Sequence, residues 1–408
     1  MASKRIQIIV KDPEFVIVEK EQVTLSFDLG INQPIESEKT ILFDLNPTTT
    51  NEIKVNNPVQ VIPMTELNET GVVRYSLEEY MEVENDLMTS KPVEKVVEEV
   101  IPAELNITMK PRPDLPGYHP DVKAYEVFDA DGTSVGLFYA DYFAREGKRG
   151  GAWMSSFVGQ SHLIGQKPVV VNVMNIPKAP NGEPTLVSYD NVTTIFHELG
   201  HGLHGMFSDV KYPTLAGTSV SRDFVEFPST FEEDWAAHPE VIANYAKHYE
   251  TGEPIPAELL QKVMNSRSFN QGYATVSYLS SALVDMDLHT QATPPTDIDA
   301  FERESLERYG MPKEIVMRHR LPQFNHLFTS DAYSAGYYSY LWSEVMDADT
   351  WAYFEESGDV FNPDIAARYK AIILAEGNTT DRAEAYRRFR GRDPDVTALL
   401  KVRGFPVS

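Results

Sequence analysis

The stretch TTIFHELGHGLHGMF, residues 193–207, constrains this chain more than any other. His197 and His201 stand four residues apart, so on a helix both imidazoles leave the same face about one turn from each other and can meet a single ion. Glu198 can reach a water at that ion without ligating it, which is the mechanical reason for the zinc-peptidase spacing H-E-x-x-H. Ile195, Leu199, Leu203 and Phe207 form an apolar face, and Asp190 is placed to cap the helix start. The bland alternative is a solvated helix with two surface histidines. Against it, the helix is itself apolar and follows the apolar strand KPVVVNVMNI. A catalytic zinc takes three protein ligands and keeps a fourth position open, so a fold containing this helix has to bring a further ligand from another element.

His204 lies on the same face as His197, but as a ligand it would sit roughly two turns (~10 Å) away along one straight helix. It is read as a histidine that supports the site from behind. Phe207 occupies the position where a metzincin has its third histidine. The next candidates are the carboxylates of SRDFVEFPSTFEEDWAAHPE. Glu226 and Glu233 are seven residues apart on a second predicted helix and so share a face. Either can be the ligand on geometry, and the alternative is that both are surface acids, as Glu232 is taken to be.

Composition narrows the partners. The net charge of −25 argues against a nucleic-acid binder and against anionic membranes. With no cysteine in 408 residues, disulfides and thiolate metal sites are excluded. MASKRIQIIVKDPEF has no apolar core of signal-peptide length, and no run approaches a membrane span, which reads as cytoplasmic. The organisation expected is a β-rich N-terminal domain over 1–64, an acidic and proline-rich linker over 65–116, and a catalytic domain over 117–408. RIQIIV, EFVIVEK, VTLSFDL, TILFDL, NEIKV and VQVIPM are the short strands of the first segment, broken by turn sequences and suggesting a small sandwich. AYEVFDADGTSVGLFYADYF reads as a hairpin with a DADG turn, and after residue 190 helical periods dominate. The fold class is therefore mostly α with a small β-sheet, preceded by a β-rich segment.

A second constellation lies in FNHLFTSDAYSAGYYSYLWSEV, residues 324–345. Tyr333, Tyr337 and Tyr340 fall at i, i+4 and i+7, one face of a helix predicted over 331–347, with Gly336 beside them. The bland reading is an aromatic core stripe, yet three phenols on one face each require a buried partner. Neutral donors aimed at a carbonyl are what peptide hydrolysis needs as the oxyanion develops.

FHELGHGLHG, followed 25 residues after His201 by the glutamate of DFVEFPS and then by EDW, resembles the thimet oligopeptidase and dipeptidyl carboxypeptidase family of zinc peptidases. KRGGAW, FNQGYATVSYL, AGYYSYLWSEV and RFRGRDPDVTALL continue the resemblance across about residues 117–406. It implies a zincin-like catalytic region with one Zn2+ per chain, ligated by His197, His201 and Glu226. It implies Glu198 as the general base and leaves Glu233 as an acid behind the ligands, a choice that spacing alone leaves open. By the same resemblance His326, Tyr333, Tyr337 and Tyr340 bind the substrate backbone and stabilise the intermediate, with Tyr340 and His326 at the oxyanion and Tyr338 structural. The chain departs from the family in three places. TSDAY replaces a glycine-rich loop, Thr230 stands where glutamine is usual, and about 116 residues of strand-like and acidic sequence replace a long helical N-terminal half.

The expected activity is zinc-dependent hydrolysis of oligopeptides, dipeptidyl-carboxypeptidase-like, with water activated by zinc and Glu198. The alternatives are an endo-acting oligopeptidase, and a zinc-containing peptide-binding protein that lost turnover with the channel wall. Expected partners are oligopeptides, with a second copy or another protein as a source of the missing wall.

Overall fold

The computed structural model describes residue 105, residues 107–407 except 181, 182, 313 and 314, and, ahead of these, the backbone of four short strands. The chain divides into two compact units. One comprises Met1–Leu87 with Asn265–Asn270, the other Met88–Met264 with Gln271–Ser408. In the first, β1 (Arg5–Ile9) pairs antiparallel with β2 (Thr40–Asp44), and β3 (Gln60–Val61) with β4 (Tyr75–Ser76). The remainder of the sandwich expected over 1–64, and most of the stretch read as linker, lie outside the described residues.

The second unit is mostly helical with one five-stranded sheet. Its strands are β5 (Thr108–Pro111), β6 (Lys123–Phe128), β7 (Ser134–Phe143), β8 (Trp153–Val158) and β9 (Val169–Ile176), in the order β5-β6-β7-β9-β8. β6 and β7 form the expected hairpin, closed by Asp129–Gly132, where Gly132 takes φ +83°. β7 and β9 run parallel while β8 returns antiparallel along the outer edge of β9. The sheet begins at Thr108, inside the segment read as linker, and β5 runs into the proline-rich stretch. That stretch is tied down, because Tyr118 donates its hydroxyl to Asp141 on β7 at 2.6 Å and Arg112 reaches Glu126 at 2.7 Å.

Helix α1 (Tyr189–Met206) follows β9 and lies on the sheet. Val192, Ile195, Phe196, Leu199, Leu203 and Met206 are all buried, the 3.6-residue stripe expected of a helix covering a sheet. Its N-cap is Ser188, whose hydroxyl accepts the Asn191 N–H, in place of the expected Asp190. Ahead of the second ligand segment comes the short α2 (Arg222–Val225), then α3 (Phe227–Ala236), with Glu226 at the junction. Pro228 sits in the first turn of α3, where a missing N–H costs nothing. α3 then buries Phe227, Phe231 and Trp235 against Tyr369, Trp351 and Phe354, with ring centroids 4.8 Å apart for Phe231–Tyr369 and 4.9 Å for Trp235–Trp351. Each fully buried ring of this kind contributes about 1.5–3 kcal/mol, so this aromatic layer fixes α3 firmly.

α1 and α3 touch backbone to backbone at Gly200. A Cβ there would lie 2.4 Å from the Pro228 carbonyl oxygen and 2.6 Å from Ser229 Cα, so only glycine permits the approach. Glu232 fills the same contact and is only 1 % exposed, which corrects its reading as a surface acid: close helix packing leaves no solvent at that position.

The long α4 (Gln271–His289), the short α5 (Asn325–Phe328) and α6 (Ser339–Glu356) complete the surroundings of the site. The helix expected over 331–347 begins only at Ser339. Residues 330–338 form successive turns instead, with Ala335 at φ +53°, so Tyr333, Tyr337 and Tyr340 do not share one helix face. Further along, the chain is α-helical over Pro363–Arg368 and continues as a π-helical stretch over Tyr369–Leu374. Among the described residues no helix is long and apolar enough to cross a membrane.

Candidate metal centre

Because α1 meets α3 at Gly200, opposite Pro228 and Ser229, the nearby His197 and His201 are brought against Glu226 at the head of α3. His201 Nε2 lies 3.0 Å and His197 Nε2 3.4 Å from the same oxygen, Glu226 Oε2. Ligating atoms of all three residues fall within 4.8 Å of one another, the one such cluster among the described residues. His197 Nδ1 is 2.6 Å from Glu233 Oε1, which fixes the tautomer that turns Nε2 toward Glu226 and raises the basicity of that nitrogen. Glu226 is held in turn: its carbonyl caps α3 by accepting the Thr230 N–H at 2.9 Å, and Ser229 donates to its carboxylate at 3.2 Å.

Electrostatics at this cluster are extreme. Burial opposes charge on both His197 and Glu226, yet the facing carboxylates Glu226 and Glu233 hold His197 well above the ordinary imidazole value. Likewise the imidazoles of His201 and His197 hold Glu226 well below the ordinary carboxylate value. Two imidazoles and one carboxylate aimed at a common point are the donor set of a catalytic zinc site, and a divalent cation there takes the place of the protons. The residues therefore fit the ion.

Glu198 follows His197 on α1 and interacts electrostatically with His197, His201 and Glu226. It is 4 % exposed, burial pushes its carboxyl upward, and Oε2 makes no hydrogen bond within the described residues. His204 is fully buried, burial drives it down to about 3 and keeps it neutral, and it lies outside the His197–His201–Glu226 cluster.

The tyrosines approach from the opposite side. Tyr333 donates its hydroxyl to Glu226 Oε1 at 2.5 Å, and Tyr340 donates to the Tyr333 hydroxyl oxygen at 3.1 Å. Their rings stack with centroids 5.5 Å apart and an interplanar angle of 6°. Burial pushes both phenols well above their ordinary value, keeping them protonated donors. His326 on α5 packs against Tyr333, Tyr337 and Tyr340, with centroids at 5.6, 5.2 and 6.2 Å, and burial lowers its basicity. Tyr337 is more withdrawn. It is 4 % exposed, its ring stacked on Tyr278, and no hydrogen bond joins it to the ligand residues. Tyr338 is half-exposed, with its hydroxyl 3.4 Å from Asp223.

The model of peptidase family M3 matches residues 72–405. The chain belongs to peptidase family M3. Dipeptidyl carboxypeptidase of Escherichia coli (strain K12) is 44% identical to it over 298 residues, which cover 72% of this chain and 43% of that protein. Oligopeptidase A of the same organism is 39% identical over 313 residues, covering 75% of this chain and 46% of that protein. The chain thus matches under half the length of each of these curated relatives.

Within this M3 chain, the structure brings together His197, His201, Glu226, Tyr333 and Tyr340, with Glu198 and His326 flanking. Two residues escaped the sequence reading. Arg222 places its guanidinium 4.4 Å from the Tyr333 ring centroid; it stands four residues before Glu226, a helical spacing that was open to inspection. Asp285 holds the tyrosine segment from α4, and no local spacing links the two.

Proposed function

We propose that this M3 chain hydrolyses peptide bonds in oligopeptides with one bound zinc, in the manner of a dipeptidyl carboxypeptidase. The observation that carries the reading is the convergence of His197, His201 and Glu226 beside a buried Glu198 carboxylate with a free oxygen. Zinc in such a site supplies Lewis acidity, polarising a carbonyl and acidifying water.

The chain's own residues do the rest. Glu198, raised by burial, takes a proton from the attacking water and returns it to the leaving amine. Tyr340, a protonated phenol in a largely buried setting, donates to the oxyanion as it develops, where a preorganised donor is worth most. Tyr333 spends its proton on Glu226 and steadies that ligand. His326 packs edge-on against the rings of Tyr333 and Tyr340 and would assist at the oxyanion or the substrate backbone. Glu233 orients His197. A protein that only bound peptides has no use for Glu198, which favours turnover over the binding-module reading.

Two modes of attack remain, endo and exo, and the higher identity to the dipeptidyl carboxypeptidase favours removal of C-terminal dipeptides. The test is a quenched short peptide supplied with a free or an amidated C-terminus, with and without a chelator. Cleavage of the free form alone, abolished by the chelator and restored by zinc, is the expected result. Equal cleavage of both forms moves the assignment to an oligopeptidase, and chelator-resistant cleavage removes the zinc mechanism.

A further inference from the structure

Residues 330–338 carry Tyr333 and lead into Tyr340 in the first turn of α6, without the i→i−4 backbone hydrogen bonds of a helix. Each buried N–H in such a segment needs an acceptor from elsewhere. For two of them the acceptor is one side chain on α4: Asp285 Oδ1 accepts the Ala335 N–H at 2.9 Å, and Oδ2 accepts the Tyr337 N–H at 3.0 Å. Asp285 is 0 % exposed. Its Oδ1 also lies 2.7 Å from His289 Nδ1, one turn along α4. Tyr278, two turns the other way, donates its hydroxyl to the Tyr337 carbonyl and stacks on the Tyr337 ring at 5.2 Å. Ser281 accepts the His319 N–H at 3.3 Å. One face of α4 is thus a template for the backbone that delivers the phenols.

The conformation being held is costly. Ala335 sits at φ +53°, a left-handed backbone that a residue with a Cβ adopts only when its surroundings impose it. The carboxylate grips the N–H groups of residues 335 and 337, on this residue and just after it. Immediately before it, Ser334 donates its hydroxyl to the Leu327 carbonyl at 3.1 Å.

We propose that Asp285 is a positioning residue for catalysis: by holding the Ala335 and Tyr337 N–H groups it sets Tyr333 against Glu226 and Tyr340 against Tyr333. The inference rests on the reading that Tyr340 serves the oxyanion. A purely architectural Asp285 supports folding and nothing more; a positioning Asp285 acts through the phenols and is coupled to them. In Asp285→Asn one oxygen becomes an NH2 that opposes a backbone N–H, so the segment shifts while its size is unchanged.

The experiment measures zinc content, kcat and KM on a quenched short peptide for the full chain carrying Asp285→Asn, Tyr340→Phe and both. The expected result for Asp285→Asn is retained zinc, KM within about twofold, and kcat lowered about 10- to 100-fold, the scale of a misplacement near 1 Å. Added to Tyr340→Phe, it costs under about threefold more, because the group it positions is already gone. An unchanged kcat, full additivity, or parallel loss of zinc overturns the proposal. If Tyr340→Phe alone leaves kcat intact, the oxyanion reading is what fails. The cycle is then run with Tyr333→Phe, where non-additivity supports positioning and additivity overturns it. Should Asp285→Asn not accumulate as folded protein, His289→Ala at a part-exposed side chain enters the same cycle, with a kcat loss of about three- to tenfold and the same non-additivity expected.

Discussion

Helix α1 presents His197, Glu198 and His201 from one regular rod, whereas Tyr333 reaches the same site from a segment with no repeating backbone that leads into Tyr340. The rod is fixed by packing: its apolar stripe lies on the sheet, and at Gly200 it meets α3 with no side chain between them. The segment is fixed by hydrogen bonds, chiefly from Asp285, 50 residues away from Ala335. One wall of the site is therefore held by close-packed backbone and the other by a buried carboxylate. The wall that carries the candidate ligands has little room to move, since an ion shared by them would need each ligating atom within about 0.2 Å of its coordination distance. The wall that carries the phenols is held by hydrogen bonds that can be made and broken.

The sharpest division between chemistry and scaffold lies on the rod itself. Glu198→Gln keeps the helix, its packing and all three candidate ligands, and removes only the base. Zinc content is expected to stay at about one per chain while kcat falls about 10²- to 10⁴-fold, the range for general acid–base catalysis. Metal analysis alongside steady-state kinetics checks it. A variant that kept its kcat would move proton transfer to another group, and one that lost zinc would make Glu198 part of the metal's support.

A second substitution strikes the packing of the rigid wall. In Gly200→Ala the new methyl would fall 2.4 Å from the Pro228 carbonyl oxygen, which belongs to the backbone and cannot turn aside. The helices have to part, at a cost of about 1–3 kcal/mol for overpacking. Glu226, two residues before Pro228, moves with α3 away from the histidines. Lower stability in denaturant and weaker zinc binding are expected together. Zinc affinity that survived the loss of stability would show that the two helices do not clamp the site.

How far the sequence discloses each wall follows from the same contrast. The clustering of His197, His201 and Glu226 is legible because H-E-x-x-H is a local spacing with one geometric meaning, and DFVEF supplies the glutamate once the family resemblance chooses between Glu226 and Glu233. The helix start was misplaced from Ser188 to Asp190 because both residues can cap, and only the hydroxyl's hydrogen bond to Asn191 N–H decides. Glu232 was misread because its burial depends on a helix that packs across it, which its own neighbours in sequence do not reveal. The tyrosine periodicity at 333, 337 and 340 suggested a helix face, and the backbone refuses one. Competing acceptors on α4 capture N–H groups that a helix would have used internally, and no pattern within residues 330–340 reports on Asp285.

Ala335→Gly tests the flexible wall at its point of strain, with the smallest expected effect. Alanine at φ +53° costs about 1–2 kcal/mol in a left-handed backbone, and glycine removes that cost. Glycine also gives the unfolded chain more freedom, which takes back about 0.4–1 kcal/mol. The net expectation is a gain of about 0.5–1 kcal/mol in the stability of the catalytic unit, read as a higher denaturation midpoint. Asp285 still accepts both N–H groups in this variant, so the phenols stay in place and kcat is expected within about twofold of the parent. A large fall in kcat with a gain in stability would show that the side chain at 335, and not the Asp285 carboxylate, sets the segment's path. The asymmetry between the two walls would then lie in local stiffness instead of in a long-range hydrogen bond.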